Sequence, residues 1–251
     1  MNMKLLITLI ITMVTTMGMR GEIKLLHGTH INARMGYSLG GSAPLNMPAT
    51  IRGLNKFPLT PNLSVGVDFQ RPLTGNWGVM VGPHFENKGM SVDAKVKNYH
   101  MEIVRGGEKL EGMFTGNVVT KVTQWMFTVP LQGSYNLGNL RLRCGPYVSI
   151  LAKREFYGWA YDGYLRVGNP TGPKIEMGHT PDERGDYNFT SNMRRVQWGI
   201  NAGGDLMLGR RLGVYADLSW GLTGVHKSNF TTIEQTLYPI YGSIGIIYKI
   251  K

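Results

Sequence analysis

Cysteine is nearly absent from the 251 residues: Cys144 stands alone, so no intramolecular disulfide can form and no thiol-rich metal site exists. It also lies far from the N-terminus, which excludes a lipid anchored to a cysteine just behind a leader. Charge is scarce at 17%, and acidic side chains are outnumbered by basic ones, 16 against 27, for a net charge of +11. Such a basic excess is compatible with nucleic acid or with an anionic lipid surface. Long apolar runs are scarce as well. Beyond the opening segment no window approaches the roughly 18–20 consecutive apolar residues of a membrane-crossing helix, which leaves a soluble protein or a barrel that crosses with strands. What is abundant is glycine, 34 residues, together with 12 tyrosines. Because glycine costs roughly 1 kcal/mol in a helix interior, this composition favours a sheet with many turns over a helix bundle. No shift in composition divides the chain.

Met1 to Gly18 carries Lys4, an apolar run from Leu5 to Val14, then Thr15, Thr16 and Gly18. That layout predicts a secretory signal peptide over residues 1–18 and a single domain over 19–251. A retained membrane anchor is the alternative, and the apolar run is short for it.

The stretch from Gln235 to Lys251 alternates with period two. Tyr238, Ile240, Gly242, Ile244, Ile246, Tyr248 and Ile250 form one face, and Pro239, Tyr241, Ser243, Gly245, Ile247 and Lys249 a smaller, more polar one. Seven segments upstream repeat the pattern: Ile31 to Leu39, Leu63 to Phe69, Trp77 to Phe85, Trp125 to Leu137, Leu140 to Ile150, Trp198 to Leu208 and Leu212 to Leu222. Connections alternate between tight turns (Thr74-Gly75-Asn76, Gly138-Asn139, Gly209-Arg210-Arg211) and longer loops at Gly41 to Thr60, Met90 to Asn117, Arg166 to Asn192 and Lys227 to Glu234. The expectation is an all-β fold, an eight-stranded antiparallel up-and-down transmembrane β-barrel with short periplasmic turns, long extracellular loops and both termini periplasmic. Closure requires the last segment to pair with the first and the seventh.

Aromatic positions support crossing. Tyr37, Phe85, Trp125, Trp198, Trp220 and Tyr238 fall at the outer ends of their segments, and Phe69, Trp77, Tyr135 and Tyr248 at the inner ends, all on the apolar face. Two interfacial belts are the natural reading. A soluble lipid-binding barrel would turn that face inward instead. The other face opposes this, because it is rich in glycine (Gly36, Gly66, Gly78, Gly82, Gly145, Gly199, Gly203, Gly213 and Gly221), as a crowded lumen requires. It also carries charges of both signs, Arg34, Asp68, His84, Glu86, Arg141, Arg143, Lys153, Asp205, Asp217 and Lys249, which are expected to pair across a filled lumen.

Sites of chemistry are few. His84 and Glu86 with Ser64 or Ser219 suggest a hydrolytic constellation only weakly, against a structural lumen pair. His27 and His30 read as surface residues rather than metal ligands, and Arg105-Gly106-Gly107-Glu108-Lys109 as a turn tip rather than a phosphate loop. No cofactor and no catalytic residue is expected. Nucleic acid is not an expected partner, since the aromatics and the basic residues lie on different surfaces. The basic excess instead suits outer-membrane lipid and lipopolysaccharide phosphates.

Asn62 to Met90 (NLSVGVDFQRPLTGNWGVMVGPHFENKGM) resembles the PorT-like outer-membrane β-barrel family of the Bacteroidetes, as do Val129 to Leu151 (VPLQGSYNLGNLRLRCGPYVSIL) and Gly36 to Gly41. The resemblance implies an integral outer-membrane barrel of about this size. It carries no catalytic motif, and through the family's type IX secretion member it implies secretion-system or surface proteins as possible partners. The expected function is non-enzymatic: a barrel anchoring extracellular loops for binding or for assisting secretion. A narrow channel or transporter is the alternative, and a lipid-modifying enzyme a more distant one.

Overall fold

A computed structural model describes residues 28–45, 48–58, 60–233 and 235–251. The predicted signal peptide and His27 lie outside them. The described residues form β1 (His30–Ala43), β2 (Ile51–Lys56), β3 (Asn62–Pro72), β4 (Trp77–Val81), β5 (His84–Arg105), β6 (Glu108–Leu137), β7 (Leu140–Val167), β8 (Lys174–Met177), β9 (Gly185–Asn188), β10 (Val196–Met207), β11 (Leu212–Gly221) and β12 (Tyr238–Lys249). All pair antiparallel within one sheet.

The pairings form a cycle. β12 pairs with β1 from Asn32↔Lys249 to Ala43↔Tyr238 and with β11 from Leu212↔Tyr248 onward. From β1 the ladder runs to β3, through β4 and β5 to β6, then to β7, β10 and β11. No edge is left along this path, so backbone donors and acceptors are paired from strand to strand.

Twelve strands appear where the alternating pattern suggests eight, for two physical reasons. Pro83 lacks an N–H and interrupts the segment from Trp77 to Phe85. Register survives the break: β3 pairs Phe69↔Val81 before it and Gly66↔His84 after it, and β6 pairs Leu131↔Val81 and Thr128↔His84. The second reason is that three of the expected loops contain strands. β5 and β6 run on to Arg105↔Glu108, closed by Gly106 and Gly107 with φ of 57° and 87°, values that favour glycine. The stretch from Met90 to Asn117 is therefore a long hairpin and not a loop. β2 pairs with β5 inside the stretch from Gly41 to Thr60, and β8 and β9 pair with β7 inside that from Arg166 to Asn192.

Polarity along the long strands reverses once. On β5 the inward side chains His84, Glu86 and Lys88 give way to Met90, Ala94 and Val96, all buried. On β6 inward Gln132, Thr128 and Gln124 give way to Val122 and Val118. The outward face changes in the opposite sense, from exposed Val129 and Leu131 to Lys121 and Asn117. Below the reversal the sheet is apolar outside and polar inside; above it, the arrangement is that of a water-soluble protein. The upper part is a head with its own core, centred on Met101, Ile103, Phe114, Phe156, Leu165 and Tyr187. β9 pairs with β7 and touches β5 at Val104↔Asp186, so β5, β6, β7 and β9 return on themselves around that core.

His226, between β11 and β12, belongs to this head. Its ring meets Phe156 at 4.5 Å and Phe230 at 4.7 Å between centroids, and burial pulls its pKa down to about 4. An unfolded histidine titrates near pH 6.5, so between about 6.5 and about 4 the opened segment takes up a proton that the folded one refuses. Stability of this corner should therefore fall as pH drops through that window. Amide exchange at Arg194, whose N–H donates to Val225 O, is expected to accelerate beyond its intrinsic rate on acidification. In His226→Phe the acceleration should vanish; an unchanged profile would remove the histidine from the effect.

Candidate functional site

The inward face of the sheet brings together eight of the ten charged residues expected in the lumen. Arg34 on β1 contacts Asp68 through Nε, Asp205 through Nη2 and Asp217 through Nη1, the last at 3.0 Å. Its guanidinium lies 4.5 Å from the centroid of the Tyr215 ring. Arg143 on β7 reaches Asp205 at 2.9 Å and Asp217 at 2.5 Å, and donates to Gln132 Oε1 at 2.9 Å. Arg141 stands 3.5 Å from Asp205 and donates to Asn136. His84 Nε2 lies 2.7 Å from Asp68 Oδ1. Glu86 accepts from Lys88 Nζ at 3.1 Å and from Thr128 Oγ1 at 3.0 Å.

Glycine makes these contacts possible. Gly203 on β10 is paired with Arg143 on one side and Asp217 on the other, and a Cβ there would collide with the Asp217 carboxylate. Gly66 on β3 is likewise flanked by Arg34 and His84, and a Cβ would strike the His84 ring. The two missing side chains leave the gaps through which neighbouring strands join their charges. What remains open among Arg34, His84, Glu86 and Arg143 is about 20 Å³, room for one water.

Lys88 was not among the expected charges, although it lies two residues past Glu86 on the same face. The outward apolar alternation ends at Phe85, while the strand continues to Arg105. Lys88 is buried and lies 5.3 and 5.6 Å from the centroids of the Tyr147 and Tyr241 rings. With it the cluster holds four lysine or arginine cations against four carboxylates, with His84 beside Asp68. Lys153 is a correction in the other direction. A bulge between Trp125↔Lys153 and Met126↔Leu151 shifts the alternation by one, so Lys153 points outward and pairs with Glu155 at 3.0 Å. Lys249 is half-buried on β12, and no ion pair joins it to the cluster.

The weak catalytic arrangement is not assembled by these contacts. His84 is held by Asp68 rather than by Glu86, and Ser219 Oγ donates to Tyr241 O at 3.4 Å. Cys144 is exposed on the outward face.

All ten aromatics expected in belts lie on the outward face. Tyr37, Trp198 and Trp220 are exposed at the outer ends and Trp77 and Tyr248 at the inner ends; Phe85, Trp125, Tyr238, Phe69 and Tyr135 are half-buried. Trp77 packs edge-on to Tyr135 at 4.9 Å, and Phe85 stacks on Trp125 at 5.3 Å.

The head offers a second candidate surface. Trp159 lies between Lys121, 5.0 Å from its ring centroid, and Arg184, at 4.5 Å. Trp159 and Arg184, together with Val104 and Tyr157, border an open groove of about 400 Å³ beside β9. On the flank, Asp93 accepts from Tyr161 OH at 2.7 Å and from Asn55, joining β2, β5 and β7. Burial, followed by the hydrogen bond to Asp93 and its charge, pushes the Tyr161 pKa up to about 12.

Removing one member of a buried charge cluster leaves the rest uncompensated, typically at about 3–5 kcal/mol. Asp205→Ala removes the carboxylate that Arg34, Arg141 and Arg143 share and should lower the urea midpoint of folding, read by heat-modified gel mobility. Gly203→Val, which fills the gap between Arg143 and Asp217, should destabilise the fold by about 1–3 kcal/mol and lower the midpoint accordingly. Glu176→Ala breaks only the exposed pair with Lys174 and should leave the midpoint in place. Equal midpoints for all three proteins would deny the cluster a structural role.

No curated protein matches the chain in sequence. Among solved structures, Ail, the attachment invasion locus protein of Yersinia pestis, aligns at 8% identity over 88% of this chain and 97% of its own, with a TM-score of 0.35. Neisserial surface protein A aligns at 10% identity over 89% and 97%, with a TM-score of 0.35, and OprG from Pseudomonas aeruginosa at 14% over 89% and 96%, with 0.30. Such values carry no argument about function. The family described as outer membrane protein beta-barrel domain matches residues 20–227, most of the chain, and the protein belongs to that family of the outer membrane.

Proposed function

We propose that the protein is a non-enzymatic, plugged eight-stave barrel that holds a rigid extracellular head for binding, with both termini in the periplasm. The observation that carries this reading is the continuation of β5, β6 and β7 past the polarity reversal into a head with its own apolar core. β4 and β5 count as one stave because their register is continuous, and β2, β8 and β9 belong to the head. The matched charges fill the lumen, which opposes the channel alternative. The ten outward aromatics then serve as two interfacial belts. Exposed Lys153, opposite Trp125, and exposed Arg195, whose carbonyl accepts from the Leu151 N–H, stand near the outer belt and suit lipopolysaccharide phosphates.

The groove beside β9 is the contact face of the head. Tryptophan, tyrosine and arginine dominate the energetics of protein interfaces, and Trp159, Tyr157 and Arg184 border this groove. Its partner is a secretion-system or surface protein, a class that rests on the resemblance to PorT-like proteins of the Bacteroidetes.

Orientation and closure are testable together. In a Cys144→Ala background, Glu108→Cys should react with a membrane-impermeant maleimide on whole cells, and Asn139→Cys only after the outer membrane is permeabilised. Reversed labelling would invert the head. Purified protein in planar bilayers should give no unitary conductance; reproducible steps would favour the channel.

The secreted and surface proteins of a deletion strain should change. Restoration by the wild-type gene but not by Trp159→Ala with Arg184→Ala would identify the groove, and an unchanged profile would dismiss secretion assistance.

A further inference from the structure

The head contains a chamber that the side chains of the described residues do not fill. It lies above Met90, between β2 and the inward faces of β5 and β6, and has a volume of about 170 Å³. Leu54 and Phe57 border it on the outer side, Ala94, Val96 and Val118 on the sheet side, and Met101 beyond. Protein interiors rarely keep voids larger than a water molecule. This one exceeds that several times over.

Water is a poor occupant. The Tyr187 hydroxyl on the wall is engaged by Thr120 Oγ1 at 2.7 Å and Val119 O at 2.8 Å; on the floor the Ser42 N–H meets Met90 Sδ at 3.0 Å, and Ser42 Oγ, buried without a hydrogen bond among the described residues, offers a single partner. A water needs two to four polar partners, and an apolar cavity of about 150 Å³ stays dry and accepts benzene. The chamber is slightly larger than that.

Its cover is a short strand held from one side. β2 pairs only with β5, and its register is irregular between Ile51 and Gly53 and again between Leu54 and Lys56. Leu54 and Phe57, at 55% and 41% exposure, leave apolar surface at the mouth. Displacing β2 sacrifices a short ladder and opens the chamber to the outside.

We propose that the chamber is a binding site for a small uncharged apolar molecule of single-ring size, admitted beneath β2. Volume sets the size, and the dry walls exclude charge. Thioethers of Met90 and Met101 and the ring of Phe156 favour an aromatic ring, since sulfur and ring edges attract π-systems. The site is independent of which partner engages the groove beside β9.

The methionines report on it directly. The intact protein, labelled at its methionine methyl groups and reconstituted in lipid nanodiscs, is titrated with benzene and followed by NMR. Ring-current shifts should saturate at Met90 and Met101, while Met80, buried in the barrel lumen, stays in place. Met35, exposed on the outward face, reports simple partition into lipid and should move without saturation. Benzoate and anilinium, charged rings of similar size, should leave Met90 and Met101 unmoved. Ala94→Phe, which adds a ring to the chamber wall, should abolish the saturable shifts with the Met80 signal unchanged. Overturning results are shifts at Met90 and Met101 no more saturable than that of Met35, equal response in folded Ala94→Phe, or equal response to benzoate. Contacts from lipid acyl methyls to Met101 before any benzene is added would also overturn it, because the occupant would then be a membrane lipid. Should Ala94→Phe fail to fold, the contrast between Met90 and Met35 in the wild type decides alone.

Discussion

An unpaired backbone amide in hydrocarbon costs several kcal/mol, and that constraint governs the barrel from its first strand to its last. β12 can lie in lipid only because β1 takes one of its edges over twelve consecutive residue pairs and β11 takes the other. A break in the ladder is tolerated at Pro83 because the register on both sides is identical and the missing donor is local. With the edges joined, side chains no longer have to protect the backbone. They are free to respond to the medium on each face.

That response explains the reversal along β5, β6 and β7. Side chains alternate with the same parity throughout, apart from the local bulges, yet the inward set changes from Glu86 and Lys88 to Met90 and Ala94 within a few residues. No change in backbone geometry is needed for this. Where the surroundings are apolar, the charges retreat inward and must be paired; where the surroundings are water, the apolar groups retreat inward and the charges turn out. The change from one arrangement to the other falls, along these strands, near Lys88 and Gln124.

The same reversal decides what is legible in the sequence. Strands whose outward face is aliphatic, such as Ile240 to Ile250 and Leu212 to Leu222, are recognisable from alternation alone, and so is the pairing of the last with the first. Past Lys88 the alternation of Val92, Ala94 and Val96 with Ser91, Asp93 and Lys95 is equally regular. A search for an apolar outward face loses it, because the apolar set has moved inside, and the stretch resembles a loop. Lys153 is illegible for another reason: a single extra residue at the bulge moves it to the opposite face without any mark in the composition. The partners within the lumen are also hidden. Mixed charges on one face imply pairing, but that Arg34 meets Asp205 and Asp217, more than 170 residues away, follows only from closure.

Matched charges in the lumen do more than fill space. An inward face made entirely of aliphatic residues would resemble the outward one, and a strand could slip by one residue at little cost. With Asp205 inward and Leu206 outward on β10, the same slip would drive a carboxylate into lipid and strand three arginines behind it. Register is therefore set by the difference between the two faces, and the cost of dehydrating the ions is offset by their mutual contacts. Gly203 belongs to this device, because its missing side chain lets Arg143 and Asp217 meet across β10. A head that must keep its shape above the membrane gains from this: strands fixed in register below deliver β5, β6 and β7 to it in a single arrangement.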